Sequence, residues 1–533
     1  MSKFRGADAL AASLVAEGLT KVFTLSGNHI MPLFDAAFDA GIELIHVRHE
    51  AAAVHMADAY ARLTGKVGVA LVTGGPGHAN AVSALYTAAM AESPVVLLSG
   101  HAPTNQLGMA AFQEMRQADL AAVLCKASGI AGNANEVATN LVNAVRVAKA
   151  GRPGPVHLSL PTDVLENEAA KTDVPRIEGA KFPSLDHHPV LAFFGAAKRP
   201  LILCGPMCTS KEGRVLMAGL EGASGIPVVG MESPRGVGDP SLGAFAQMLS
   251  QADAVMLLGK RTDFTLKFGK AFAADCQFIQ VDTDRSEFER TTRAVGDRLK
   301  GVTIAATFAS LESLAKAPWT PASAAWRDEV RSAIAYRPAA WDTATGSVPG
   351  RLHPAQALRP LQAMLDEHPD SVFVCDGGEI GQWAQACLHA PNRVLNGVAG
   401  SIGAALPFAL AARAAKPDAP VIAVMGDGTF GFHPAEIDTA VRHNLPFVAV
   451  VGNDARWNAE YQIQLREYGR ERLIGCELLP TRYDQVAVGF GGFGEQVTDA
   501  SQVLPAARRA AASKLPAVLN VMIDGLAAPN ISR

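Results

Sequence analysis

The chain has 533 residues with a hydrophobic content of 49%, enough for roughly three domains of about 150 residues, each with its own core. The net charge of -4 is small and no basic block accompanies it, which argues against nucleic acid or a membrane surface as main partner and leaves small molecules. Seven cysteines without a paired framework point to reduced thiols, and so to a cytoplasmic protein.

The N-terminal segment MSKFRGADALAASLVAEGL reads as an amphipathic helix rather than a secretory leader. No charge-free apolar run reaches the ~20 residues of a membrane span. Next come short Val-, Ile- and Leu-rich runs, KVFTLSG, IELIHV, VGVALVTG, SPVVLLSG and PVHLSLP, separated by Ala-rich helical stretches. Such alternation predicts a parallel sheet with helices on both faces. A polar stretch, PTDVLENEAAKTDVPRIEG, closes this block, so a first domain is placed at 1–168. RPLILCGP, GIPVVGM, ADAVMLLG and CQFIQVD form a second block, placed at 190–318. Its Cys204 and Cys208 lack the second pair of ligands that a zinc site needs. After a connection containing Pro and Trp, a third block at 350–533 runs through SVFVCDGG, RVLNG, PVIAVMGDG, PFVAVVGND and AVLNVMID. The expected fold class is α/β, with three doubly wound parallel-sheet domains.

Ligands of open α/β sheets gather at the carboxyl ends of strands. One predicted strand ends in Gly426-Asp427-Gly428 and a later one in Asn453-Asp454. If these strands are neighbours, Asp427 and either Asn453 or Asp454 converge with hard oxygen ligands. That suits Mg²⁺, which needs few protein oxygens when a diphosphate and water complete its shell. Backbone N–H groups of Gly428, Thr429 and Phe430 can then bind phosphate while the cation neutralises Asp427.

This Gly-Asp-Gly motif, with its Asn-containing second strand end, resembles the thiamin-diphosphate motif of the acetolactate synthase, pyruvate oxidase and pyruvate decarboxylase family. HVRHEAAAVHMADAYARLTGKVGVALVTGGPGHANAVSAL is similar to the N-terminal part of the same family. SPVVLLSG, AFQE, GRPGPVHLSLPTDV and GSIGAALP match in order, so the resemblance spans essentially the whole chain. It implies thiamin diphosphate and Mg²⁺ as cofactors. The cofactor-activating glutamate falls on Glu50, the carbonyl that meets the aminopyrimidine on Gly400, and the apolar wedge under the bent cofactor on Ile402. Gly426, Asp427, Gly428, Thr429, Phe430 and Asn453 then hold the cofactor's diphosphate end, and Asp427, Asp454 and Arg456 the metal. Because Glu50 and the diphosphate loop lie in different blocks, the resemblance also implies a homodimer or homotetramer with the site at a subunit interface.

Residues expected beside the substrate are Gln113, Asn28, His29 and Glu460. Gln113, in AFQE, resembles the loop that acetolactate synthases and 2-hydroxyacyl-CoA lyases place next to the thiazolium. Asn28 and His29, in LSGNHIMP, offer more hydrogen bonding than the small residues usual in acetolactate synthases. Glu460 matches in spacing a glutamate of pyruvate decarboxylases and is a proton donor by that analogy. His78 and His433 read as structural. In the middle block, ADAVMLLGKRTDFTLKFGKAF looks closest to 2-hydroxyacyl-CoA lyase and oxalyl-CoA decarboxylase, where this domain binds the ADP part of coenzyme A or of an activator. In acetolactate synthases it helps bind FAD. Lys260, Arg261, Lys267 and Lys270 suit phosphates. The resulting readings are a carboligase acting on a 2-oxo acid, a lyase or decarboxylase acting on an acyl-CoA, and a non-catalytic regulatory homologue. The intact Glu50 and Asp427 argue against the last.

Overall fold

The structure is a computed structural model that describes residues 3–171, 173–174 and 177–533. Among these, three parallel sheets follow one another along the chain. The first has six strands, β1 (Lys21–Leu25), β2 (Glu43–His46), β3 (Gly68–Val72), β4 (Val95–His101), β5 (Ala127–Ile130) and β6 (Val156–Pro161), in the order β2-β1-β3-β4-β6-β5. Five strands form the second, β7 (Pro200–Cys204), β8 (Val228–Gly230), β9 (Ala254–Leu258), β10 (Gln277–Asp282) and β11 (Leu299–Ile304), in the order β11-β10-β9-β7-β8. The third has six, β12 (Val372–Cys375), β13 (Asn392–Leu395), β14 (Val421–Gly426), β15 (Val448–Asn453), β16 (Phe493–Val497) and β17 (Ala517–Met522), in the order β13-β12-β14-β15-β17-β16.

The expected α/β class with three doubly wound units is what the chain adopts. The first and third sheets share one strand order, although their sequences show no literal repeat. Central strands such as β3, β4 and β15 are buried along their whole length, which is why they read as unbroken apolar runs rather than as alternating patterns. Among the described residues no helix is long and apolar enough to cross a membrane.

The first and third domains share a core. Helix Glu50–Thr64 packs on helix Ala405–Ala415, and their many alanines let the two backbones approach closely. Met56 and Phe23 of one domain lie in the same apolar cluster as Phe408 and Phe430 of the other. Polar links seal the seam: Arg62 is ion-paired with Asp58 and donates to the Leu395 carbonyl at 2.7 Å. The Arg48 N–H donates to Glu436 at 3.1 Å. This packing fixes the back of both sheets and leaves their carboxyl-end loops free to face a ligand.

Candidate active site

Strands β14 and β15 are hydrogen-bonded neighbours, with Gly426 opposite Gly452, so the turns that follow them meet. Gly426 caps a short helix, Asp427–Phe430, whose first N–H groups lack partners inside so short a turn. Asp427 and Asp454 are both buried, at 2% and 5% exposure. The Arg456 N–H donates to Asp427 Oδ2 at 3.2 Å, while Asp454 Oδ1 has no hydrogen-bond partner among the described residues. Burial pushes Asp427 up to about 6. Asp454 rises to about 7, through burial first and the neighbouring charge of Asp427 second. A buried carboxylate pair with one unpaired oxygen is a donor set that calls for a cation.

These carboxylates border a cavity of about 80 Å³, lined among others by Ile402, Thr429, Arg456, Trp457 and Glu460. A Cβ at Gly428 would come within 2.7 Å of the Trp457 ring, so glycine is needed where the indole closes over the loop. Among the described residues no group of three or more His, Cys, Asp or Glu side chains forms a metal cluster. A cation between Asp427 and Asp454 would complete its shell with other oxygens, from backbone carbonyls of the turn around Arg456, water or a bound diphosphate.

Asn453 points elsewhere. It is fully buried, donates to the Thr481 carbonyl and Asn520 Oδ1 at 3.0 Å each, and accepts the Ala455 N–H at 3.1 Å. Its amide shapes the turn after β15, in which Ala455 takes a left-handed φ of 59°. The Arg456 guanidinium stacks over Tyr461, 4.1 Å from the ring centroid. Glu460 is exposed on the cavity rim, in the first turn of helix Asn458–Tyr468.

Gly400 and Ile402 lie on a loop that one carboxylate organises. Asp376, at the end of β12, accepts the N–H groups of Gly377, Gly403 and Ala405 at 2.7, 3.0 and 3.0 Å. Gly400 and Gly403 have φ of 68° and 89°, and a Cβ at Gly403 would meet the Phe432 ring at 2.5 Å. Asp376 belongs to no expected site, although its position at a strand end in CDGG is a usable signal. Glu379 was also missed. It is 8% exposed on the cavity wall, raised by burial, and accepts from Ala528 N–H at 3.0 Å and Arg235 at 3.3 Å.

In the first domain one turn gathers the remaining residues. It is Thr73-Gly74-Gly75-Pro76-Gly77, directly after β3. His29 Nδ1 lies 3.2 Å from Thr73 Oγ1, and the Gln113 carbonyl would be 2.6 Å from a Cβ on Gly75. Glu50 Oε1 would be 3.3 Å from one on Gly77, and its Oε2 accepts from Asn80 at 3.0 Å. Glu50, His29 and Gln113 thus share one platform, with Asn28 exposed beside them. Gln113 has a left-handed φ of 57°. The buried Gln117, another residue the sequence reading passed over, pins this loop by accepting the Gly75 N–H at 3.2 Å and donating to the Gly100 carbonyl at 2.9 Å. His29 is pulled below its ordinary pKa by burial and by His101, and its ring stacks on Phe112.

Other expected residues are spent on structure. His78, pushed down to about 4 by burial, meets Ser99 at 2.8 Å, and His433 is buried against His49 and His55. Lys260 is 2% exposed and donates to Thr265 at 2.7 Å, Arg261 pairs with Glu287 at 3.0 Å, and Lys267 and Lys270 are exposed. The four cations do not converge on one point. Cys204 and Cys208 are buried free thiols.

Comparison with known proteins agrees with this architecture. Residues 4–121 match the family description "Thiamine pyrophosphate enzyme, N-terminal TPP binding domain", 188–301 its "central domain" and 376–521 its "C-terminal TPP binding domain". The chain is 32% identical to the acetolactate synthase large subunit IlvG of Mycobacterium tuberculosis, over 97% of this chain and 95% of that one. It is 31% identical to human 2-hydroxyacyl-CoA lyase 2 and 33% identical to the bovine protein of that name, in each case over 97% of this chain and 90% of the relative. With both TPP-binding domains and the central domain matched in order, and such relatives along nearly its full length, the chain belongs to the thiamine pyrophosphate enzyme family and is a thiamin-diphosphate-dependent enzyme.

Proposed function

We propose that this enzyme is a Mg²⁺-dependent carbon–carbon lyase or ligase of the acetolactate-synthase type, which takes a 2-oxo acid as donor. The observation that carries the cofactor half of this reading is the unpaired Asp454 oxygen beside buried Asp427, at the start of the short helix Asp427–Phe430. Those residues fit a divalent cation bridged to a diphosphate. Thiamin diphosphate supplies a carbon nucleophile that holds the electrons of the cleaved bond.

The chain's own residues divide the remaining work. Asp427 and Asp454 hold the cation, with Arg456 at the same turn, and the Gly428 to Phe430 N–H groups hold the diphosphate. Ile402 and the Gly400 carbonyl would hold the middle and the amino end of the cofactor, and the Glu50 carboxyl would hold and return a proton. Gln113 and neutral His29 hydrogen-bond substrate oxygen, while Asn28 borders them and Glu460 delivers a proton from the rim.

Glu50 and its platform belong to the first domain, whereas every residue lining the Asp427 cavity belongs to the third. This supports a homodimer or homotetramer in which one subunit's first domain completes its partner's site. The net charge and free thiols support a cytoplasmic enzyme acting on a small molecule.

A second reading, cleavage of a 2-hydroxyacyl-CoA or decarboxylation of an oxalyl-CoA, is favoured by the lyase relatives and by the polar Asn28-His29 pair. Turnover of pyruvate, benzoylformate, oxalyl-CoA and a 2-hydroxyacyl-CoA, with product identification, decides between them. Failure of all four with the enzyme loaded with thiamin diphosphate and Mg²⁺ would overturn both.

A further inference from the structure

Strand β6 lies between β4 and β5 and carries His157 and Ser159 two residues apart, so both side chains project from one face of the sheet. Ser128 of β5 stands directly opposite His157, and Ser99 of β4 opposite Ser159. A polar row inside an apolar sheet is costly unless its members find hydrogen-bond partners. The Gln117 amide is fixed by two backbone groups: Oε1 accepts the Gly75 N–H at 3.2 Å and Nε2 donates to the Gly100 carbonyl at 2.9 Å. Its second Nε2 hydrogen goes to Ser159 Oγ at 2.9 Å. Ser159 Oγ lies 3.3 Å from His157 Nε2, and His157 Nδ1 lies 2.8 Å from Ser128 Oγ, which donates to the Ala118 carbonyl at 2.6 Å. Gln117, His157 and Ser159 are at most 1% exposed.

The last bond sets the direction of the series. Because Ser128 gives its one hydroxyl hydrogen to the Ala118 carbonyl, it can only accept from His157, so the imidazole carries its proton on Nδ1. Nε2 is then bare and accepts the Ser159 hydroxyl, which itself accepts from Gln117. Burial first, then the charges of His78 and His101, holds His157 well below its ordinary pKa and therefore neutral, as this arrangement requires. The His78 ring packs against it with centroids 4.5 Å apart. A backbone carbonyl has no proton to pass on, so the series orients groups and does not conduct protons.

Its two ends belong to the substrate platform. Gly75 lies in the turn after β3, and the Gln113 carbonyl stands so near that a Cβ there would come within 2.6 Å of it. Ala118 closes the loop that Gln113 opens, and His101 Nε2 meets the Met115 carbonyl of that loop at 3.2 Å. We propose that His157 is a positioning residue: through Ser159 and Gln117 it fixes the Gly75 turn against the Gln113 loop, and with them the placement of Glu50 and Gln113. This rests on the reading of those two residues, given above, as groups that meet cofactor and substrate.

The test compares two amide replacements of the imidazole. In His157→Gln the side-chain oxygen reaches the place of Nε2 and still accepts from Ser159, whereas His157→Asn reaches only the place of Nδ1 and leaves the Ser159 hydroxyl without its acceptor. Deuterium uptake over residues 73–77 and 111–118 is measured on the full-length protein without cofactor, and kcat on the enzyme loaded with thiamin diphosphate and Mg²⁺. His157→Asn is expected to speed uptake in both segments and to lower kcat about tenfold or more. His157→Gln is expected to restore most of both. Uptake or kcat like the parent's in His157→Asn, or equal losses in the two variants, overturns the proposal. Ser159→Ala removes one hydroxyl and is expected to match His157→Asn, so it decides if that variant does not fold. A parent that turns over no donor refutes the proposed function, while the uptake measurements still decide the role of His157.

Discussion

Asp376 accepts the Gly403 N–H at 3.0 Å, so a carboxylate at the end of β12 holds the loop that carries Gly400 and Ile402. The same group takes the N–H of Gly377 and of Ala405 and is 1% exposed. Asp376→Asn preserves the shape but turns one acceptor into a donor among N–H groups. A cost of about 1–3 kcal/mol to the loop is expected. It should appear as roughly tenfold or greater weakening of thiamin diphosphate binding in a fluorescence titration, with circular dichroism unchanged. Unaltered affinity would detach Asp376 from the site.

Glu436 gives the seam between the first and third domains a pH dependence. It is 1% exposed, accepts the Arg48 N–H at 3.1 Å and the Thr439 hydroxyl at 2.7 Å, and burial pushes it up to about 7. The unfolded value is about 4.3, so between the two the folded state binds more protons than the unfolded one. Stability from this group is therefore full below the unfolded pKa and is lost as pH rises towards 7. Glu436→Gln mimics the protonated form and should flatten part of the fall in thermal midpoint between about pH 5 and 7, gaining up to ~3 kcal/mol at pH 8. A slope equal to the parent's would mean that the carboxylate is ionised throughout.

Asp427 and Asp454 should not be equivalent. The two buried carboxylates would bring two negative charges to the proposed cation site. Asp454→Asn removes the repulsion on Asp427 yet leaves an oxygen ligand, so Mg²⁺-dependent cofactor binding should persist. Asp427→Asn, on the diphosphate loop itself, should weaken it at least tenfold, about 1.4 kcal/mol. Calorimetric titration of thiamin diphosphate at fixed Mg²⁺ reads both. Complete loss of binding in Asp454→Asn would show that the second charge is indispensable.

Much of this site was legible because strand ends leave a mark in the sequence. Apolar runs stopping at Gly-Asp-Gly and Asn-Asp located two turns at once, since parallel strands buried on both faces have unbroken apolar stretches with abrupt polar ends. Side-chain direction leaves no such mark. Asn453 and Asp454 are adjacent, and only the hydrogen bonds from Asn453 to Thr481 and Asn520 separate the inward group from the one at the cavity. Lys260 belongs to a run of cations that suits phosphates, yet its Nζ lies on Thr265. Gln117 and Glu379 belong to no motif, because their partners are brought near by the fold and not by spacing. The shared core of the first and third domains was likewise hidden, as an alanine-rich helix carries little periodic signal.

The proposed division of the site between Glu50 in the first domain and Asp427 in the third has a decisive consequence for mixed oligomers. Suppose Glu50→Gln and Asp427→Asn chains, each inactive alone, are unfolded, mixed equally and refolded. If the site lies between subunits, each mixed dimer has one site carrying both substitutions and one carrying neither, because the Asp427→Asn chain supplies Glu50 and the Glu50→Gln chain supplies Asp427. Random pairing makes half the dimers mixed, so roughly a quarter of the parental activity should return. If Glu50 and Asp427 of the same chain serve one site, every site carries one substitution and no activity returns. The recovered turnover, compared with that of parental protein put through the same refolding, therefore reads whether the two domains of one site come from one chain or two.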